Sequence, residues 1–144
     1  MPDKIQPLTE DQIRNASPEQ LRIWVATDVI GFKNIQCLAA HEDLWGEPPG
    51  QTGDPDMVFT QPLPDYPNDI AAAWQVVEKI DAGSYRWRLA SKHCRSGHVW
   101  WTATLDKYLG AVNGWKEMVY APGDTAPEAI CKAALLAVME APNA

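Results

Sequence analysis

Cysteine is scarce in this chain and odd in number. Cys37, Cys94 and Cys131 show no paired spacing, which argues against a disulfide framework and suits a reducing cytosol. A long apolar run is missing too. The most apolar stretch, "AALLAVM" at 133–139, is far shorter than the roughly 20 residues a membrane-spanning helix needs. The opening text, "MPDKIQPLTEDQ", has no positive start followed by an apolar stretch, so no secretory signal is expected and the protein is expected to be soluble and cytoplasmic. Basic residues are in deficit, 12 against 19 acidic, for a formal charge of −7. That balance repels phosphate backbones and anionic lipid, which argues against general nucleic-acid and membrane binding while leaving room for a small anion in a local basic pocket. Catalytic signatures are absent as well. There is no glycine-rich phosphate loop, no dinucleotide fingerprint and no nucleophile elbow, and "HED" at 41–43 has no identifiable partner. The expectation is a non-enzymatic protein.

What is present reads as one globular domain over 1–144, since 46% hydrophobic and 22% charged residues is ordinary globular composition. Near the start, Ser17 is a good N-cap, Pro18 fits the first helical position and Gln20 can complete a capping box. Leu21, Trp24, Val25 and Val29 recur at helical spacing, and Gly31 supplies the stop. From about 37 to 68 the prolines (Pro48, Pro49, Pro55, Pro62, Pro64, Pro67) and glycines (Gly46, Gly50, Gly53) predict an irregular excursion. It is anchored by Trp45, Met57, Phe59, Leu63 and Tyr66, with short strands expected near 33–39 and 57–60. A second helix is expected after Asn68 as its cap, with Ile70, Ala73, Trp74, Val77 and Ile80 as its buried stripe.

Two strands follow in "GSYRWRLASKHCRSGHVWWTATL" (83–105), then a loop at 106–114 and a third strand in "WKEMVYA". The last helix begins after Thr125, with Glu128 closing a capping box and an alanine-rich face for close packing on a sheet. Strands grouped in a meander between helices indicate α+β. The expected architecture is a three-layer helix/antiparallel sheet/helix sandwich, with a three- to four-stranded meander and the long irregular insertion.

Three stretches carry a resemblance. "NDIAAAWQVVEKI" (68–80), "PGDTAPEAICKAALLAV" (122–138) and "VATDVIGF" (25–32) resemble the phage ABA-sandwich domain family, with Phe32 where its members usually carry tryptophan. The similarity covers the scaffold and not residues 36–66 or the hairpin tip at 91–97. It implies the sandwich fold, a viral origin and hence the host cytoplasm during infection. It brings no catalytic motif and no residue roles.

Three constellations carry candidate chemistry. On the hairpin, Tyr85, Trp87, Leu89, Val99, Trp101 and Ala103 alternate inward, which turns Arg86, Arg88, His98, Trp100, Thr102 and Thr104 the other way. Tryptophan stacks with a purine or nicotinamide ring, arginine forks match phosphate oxygens, and threonine hydroxyls add short-range donors, so this wall suits a nucleotide-like ligand. The same residue types also stabilise a half-exposed sheet without any ligand. Cys37 with His41 and Cys94 with His98 repeat a C-x3-H spacing that matches a Cys2His2 zinc site; the plainer alternative is Cys37 as a small strand hydrophobe, Cys94 as a loop thiol and the histidines as polar surface. Cys131, among alanines, reads as packing.

Of seven tryptophans, Trp24, Trp74, Trp87 and Trp101 fall on predicted core faces, whereas Trp45, Trp100 and Trp115 do not. Tryptophan off the core marks interfaces, which predicts a homo-oligomer. Two functions stay open. One is sequestration of a nucleotide-derived immune signal, of ADP-ribose or cyclic-nucleotide type, by a phage anti-defence sponge. The other is binding of a host or phage protein through the acidic, Trp-bearing loop at 42–69 (Glu42, Asp43, Glu47, Asp54, Asp56, Asp65, Asp69).

Overall fold

A computed structural model of the protein describes residues 8–38, 43–50, 59–80 and 85–140, the side chains of Cys37, Leu38, Asp43 and Glu140 excepted. Two short helices open it, α1 (Glu10–Arg14) and α2 (Pro18–Trp24). Each starts in a complete capping box: Thr9 with Gln12, and Ser17 with Gln20. The second box is the one its sequence announced; α1 was not anticipated. After Trp24 the helix widens into a π-helical segment, Val25–Ile30, which ends at Gly31 with φ of +104°, a left-handed conformation that glycine adopts without steric cost.

The excursion holds more order than its prolines suggest. Strands β1 (Lys33–Leu38), β2 (Asp43–Glu47) and β3 (Gln61–Pro62) form one antiparallel sheet in the order β1-β2-β3. Strand β2 was not anticipated, and β3 lies just beyond the strand expected near 57–60, whose residues Met57 and Val58 lie outside the described residues. Leu63 and Tyr66 are fully buried anchors, as expected, whereas Phe59 is 63% exposed. Arg22 of α2 donates to the carbonyls of Leu63 and Pro64, which pins this segment to the helical layer. Burial pushes the Tyr66 phenol up to about 12, the nearby Cys131 adding to the shift and Arg22 opposing it.

Helix α3 (Ile70–Ile80) is present, but its buried stripe is turned relative to expectation. Ala72, Ala73, Val76 and Val77 face the core, while Ile70 and Trp74 are half exposed, Trp74 at 53%. Asp69, not Asn68, caps it: Asp69 Oδ1 accepts from the amide of Ala71, and Asn68 turns back to the Asp65 carboxylate. The face that is buried is the one turned toward α4 and the π-helical segment, and it keeps Ala73 and Val77 of the expected stripe.

The meander is a three-stranded antiparallel sheet of β4 (Tyr85–His93), β5 (Val99–Tyr108) and β6 (Trp115–Gly123), with β5 in the middle. Helix α4 (Ala126–Glu140) lies on the inner face of β5 and β6, and its other sides meet α1, α2, the π-helical segment and α3. Ala129, Ala133, Ala134 and Ala137 of α4 pack with Ala103, Leu105, Val119 and Ala121 of the sheet in one core. The fit is close: a Cβ on Gly123 would stand 2.7 Å from the Ala129 amide nitrogen, so the turn from β6 into α4 requires glycine. The α+β layering of helices with an antiparallel meander is therefore the observed architecture. Helices α1 and α2 pack against α4, and Arg14 of α1 reaches the Tyr120 carbonyl on β6.

Candidate functional site

Strand pairing places the outer face of the meander residue by residue. Arg86 faces Asp106, Arg88 faces Thr104, Ala90 faces Thr102 and Lys92 faces Trp100 across β4 and β5. Thr104 and Thr102 face Tyr120 and Pro122 on β6. Of the six ligand-wall residues, Arg86, Arg88, Thr102 and Thr104 come together at the centre of this face. His98 and Trp100 stand at its far end.

The centre is organised by Asp106, which is only 2% exposed. Arg88 grips it with both ends of its fork, Nε to Oδ2 at 2.7 Å and Nη2 to Oδ1 at 3.1 Å. Arg86 adds Nη2 and Nε to Oδ2 at 3.1 and 3.3 Å. A bidentate, charge-assisted pair of this kind is among the strongest polar contacts a protein makes. The Arg88 hydrogen bonds, reinforced by Arg86, outweigh burial and hold the Asp106 carboxyl below its ordinary range. Glu117 lies 3.6 Å from Arg88 Nη2, and the Arg86 guanidinium lies 4.6 Å from the centre of the Trp115 ring, itself against Tyr108. Two cations thus meet two carboxylates and an aromatic face, and the two threonines beside them are 3% and 6% exposed. The arginines already have their anion.

Asp106 escaped the sequence reading because the loop was begun there. Strand β5 in fact runs on through Tyr108. The period-2 signal that picked out Trp100, Thr102 and Thr104 leads directly to Asp106 when carried two residues further.

At the other end the arrangement is open. The His98 and Trp100 rings stack at 5.8 Å with 20° between their planes. They form one side of a cleft of about 290 Å³ whose remaining lining is Arg14, Pro122, Gly123, Asp124, Glu128 and Lys132. Helix α1 brings Arg14 here, where Nη2 donates to the Tyr120 carbonyl at 3.0 Å and Nε to Glu10 at 2.7 Å. Lys132, one turn beyond Glu128 on α4, is buried; its Nζ donates to the Arg14 carbonyl at 2.8 Å and pairs with Glu128 at 3.0 Å. Glu128 Oε1 accepts from the Asp124 amide at 2.9 Å. Formal charges in the lining balance, two cations against two carboxylates, and the chemistry on offer is a stacking surface beside mixed donors and acceptors. Arg14, Asp124, Glu128 and Lys132 were not singled out from sequence as site residues; α1 and the β6–α4 turn are remote from the hairpin along the chain.

The hairpin tip accounts for part of the zinc spacing. The Cys94 amide donates to the His98 carbonyl at 3.0 Å, and Gly97 turns the chain at φ of +90°. Cys94 Sγ is 2.9 Å from Ser96 Oγ, a hydrogen bond that lowers the thiol's pKa from its ordinary value. His98 is engaged with Trp100. Among the described residues, no group of three or more His, Cys, Asp or Glu side chains is arranged to hold a metal ion. The Cys37 side chain and His41 lie outside the described residues.

These features define a class: a layered α+β domain with an antiparallel meander, one sheet face packed on helix α4 and the other built from side chains. The chain belongs to the phage ABA sandwich domain family, whose model matches residues 23–135 and so spans the π-helical segment, both sheets, α3 and most of α4. It is accordingly a phage protein. Arg14 precedes the matched region. Comparison with curated proteins and with solved structures found no match. Among the described residues, no helix is long and apolar enough to cross a membrane.

Proposed function

We propose that this phage protein is a non-enzymatic binder of a small nucleotide-like ligand, whose ring stacks on Trp100 and His98 in the cleft between the hairpin and the start of α4. The single observation that carries this reading is the stacked His98–Trp100 pair forming the side of a cleft lined by both donors and acceptors. A nucleobase has a π-face and an edge of alternating donors and acceptors, which such a wall and the Arg14, Lys132, Asp124 and Glu128 groups complement. The near-neutral lining favours the base in the cleft and leaves any phosphate toward solvent. In a phage protein the role that follows is sequestration of a nucleotide-derived signal of the host's immune response, of ADP-ribose or cyclic-nucleotide type.

The test is a thermal-shift panel of ADP-ribose and cyclic nucleotides. A ligand present at 100 times its Kd adds about 2.7 kcal/mol of stability, readily seen as a rise in melting temperature. Trp100→Ala is expected to abolish the rise while the unliganded protein still melts cooperatively. No rise with any member of the panel, alongside a specific protein partner recovered by pull-down, overturns the ligand reading in favour of the interaction module.

A further inference from the structure

The opposite end of the meander carries a second cleft that the reading above does not use. Lys107 of β5 and Lys116 of β6 stand directly opposite one another. Both are exposed, and among the described residues neither ammonium lies within ion-pair distance of a carboxylate. Like charges placed directly opposite in an antiparallel pair destabilise it, so this pair is a local strain in a chain that is acidic overall. Between Leu105 and Asp106 the pairing shifts from Val119 to Glu117, which leaves Met118 as an extra residue in β6. Bulges of this kind re-aim side chains and cluster beside sites. Lys107, Lys116, Met118, Glu117 and the 44%-exposed Leu109 together line a cleft of about 330 Å³. Glu117 is directed toward Arg88, 3.6 Å from Nη2.

From this geometry we infer a binding site for a small anionic amphiphile. Its carboxylate or phosphate head bridges the Lys107 and Lys116 ammonium groups and relieves their repulsion, and a short apolar tail lies on Leu109 and Met118. The site is separate from the His98–Trp100 cleft and does not depend on it.

Isothermal titration of the whole chain with octyl phosphate, inorganic phosphate and octanol tests the inference. Octyl phosphate is expected to bind at least tenfold more tightly than either of the others, because it alone supplies both head and tail. The double variant Lys107→Gln/Lys116→Gln is expected to lose at least tenfold in affinity for octyl phosphate while melting at or slightly above the wild-type temperature, since removing a like-charge pair does not cost stability. Trp100→Ala is expected to leave octyl phosphate binding unchanged. Octyl phosphate binding that survives the double variant overturns the site. Inorganic phosphate binding as tightly as octyl phosphate overturns the amphiphile, and absence of binding by octyl phosphate overturns the whole inference.

Discussion

On the inner face of β5, Ala103 and Leu105 are buried beneath α4, apolar surface on apolar surface. On the outer face, Thr102, Thr104 and Asp106 are buried almost as completely, yet the groups over Asp106 are the arginines of the neighbouring strand. The inner face gains its stability from area removed from water, which is tolerant of chemistry and sensitive to volume. The outer face depends on one carboxylate being ionised and gripped by two guanidinium groups, which is sensitive to charge and to pH. The same face then changes character toward Trp100, where a cleft opens beside the stacked His98 and Trp100 rings.

Truncation of the inner face should produce the largest effect. Leu105→Ala removes a fully buried side chain under α4 and is expected to cost about 3 kcal/mol, measured by urea denaturation with an unchanged m-value.

A smaller loss, about 2 kcal/mol, is expected for Asp106→Asn, which keeps shape and removes the charge. Its signature is the pH dependence. The folded state lowers the Asp106 pKa below 3.8, so its contribution is complete at neutral pH and drains as pH falls through the lowered native value. The wild type should therefore lose stability on acidification below about pH 4 more steeply than Asp106→Asn. Equal acid limbs in the two proteins would show that the outer face is held by packing, like the inner one, and would erase the contrast.

The smallest effect on the fold is chemical. Cys131 sits on α4 within the core, and burial pushes its thiol far up, whereas Cys94 is exposed at the hairpin tip with its pKa lowered by Ser96. Iodoacetamide followed by peptide mapping should find Cys94 alkylated well before Cys131 in the native protein, with no loss of structure. Labelling of both at one rate would mean that the α4 layer opens as readily as the hairpin.

Much of the frame was legible because it is local. Ser17 and Gln20, Gly31 and the Thr125 cap each act within a few residues and appear in the structure as their spacing requires. The hairpin alternates as expected near its base, while Leu89 and Val99, expected inward, are exposed toward its tip. Helix α3 shows the limit of that logic. Its apolar residues support more than one stripe, and the partner surface of α4 and the π-helical segment chose Ala72, Ala73, Val76 and Val77, leaving Trp74 outside. The candidate site was half legible. Alternation put Arg86, Arg88, Trp100, Thr102 and Thr104 on one face, but a loop boundary drawn at Asp106 hid the carboxylate that divides that face in two.

Residue order alone therefore determined the α+β class, the caps of α2 and α4, the stop at Gly31 and the two faces of the hairpin, because all of these are written in short-range patterns. Tertiary structure alone decided which charges on the outer face are spent and which surfaces stay open. Arg14 reaches the Tyr120 carbonyl across 106 positions of the chain, and Lys132 reaches the Arg14 carbonyl across 118. Whether a charged side chain is satisfied depends on what the fold brings within about 3 Å of it, and no local pattern carries that distance.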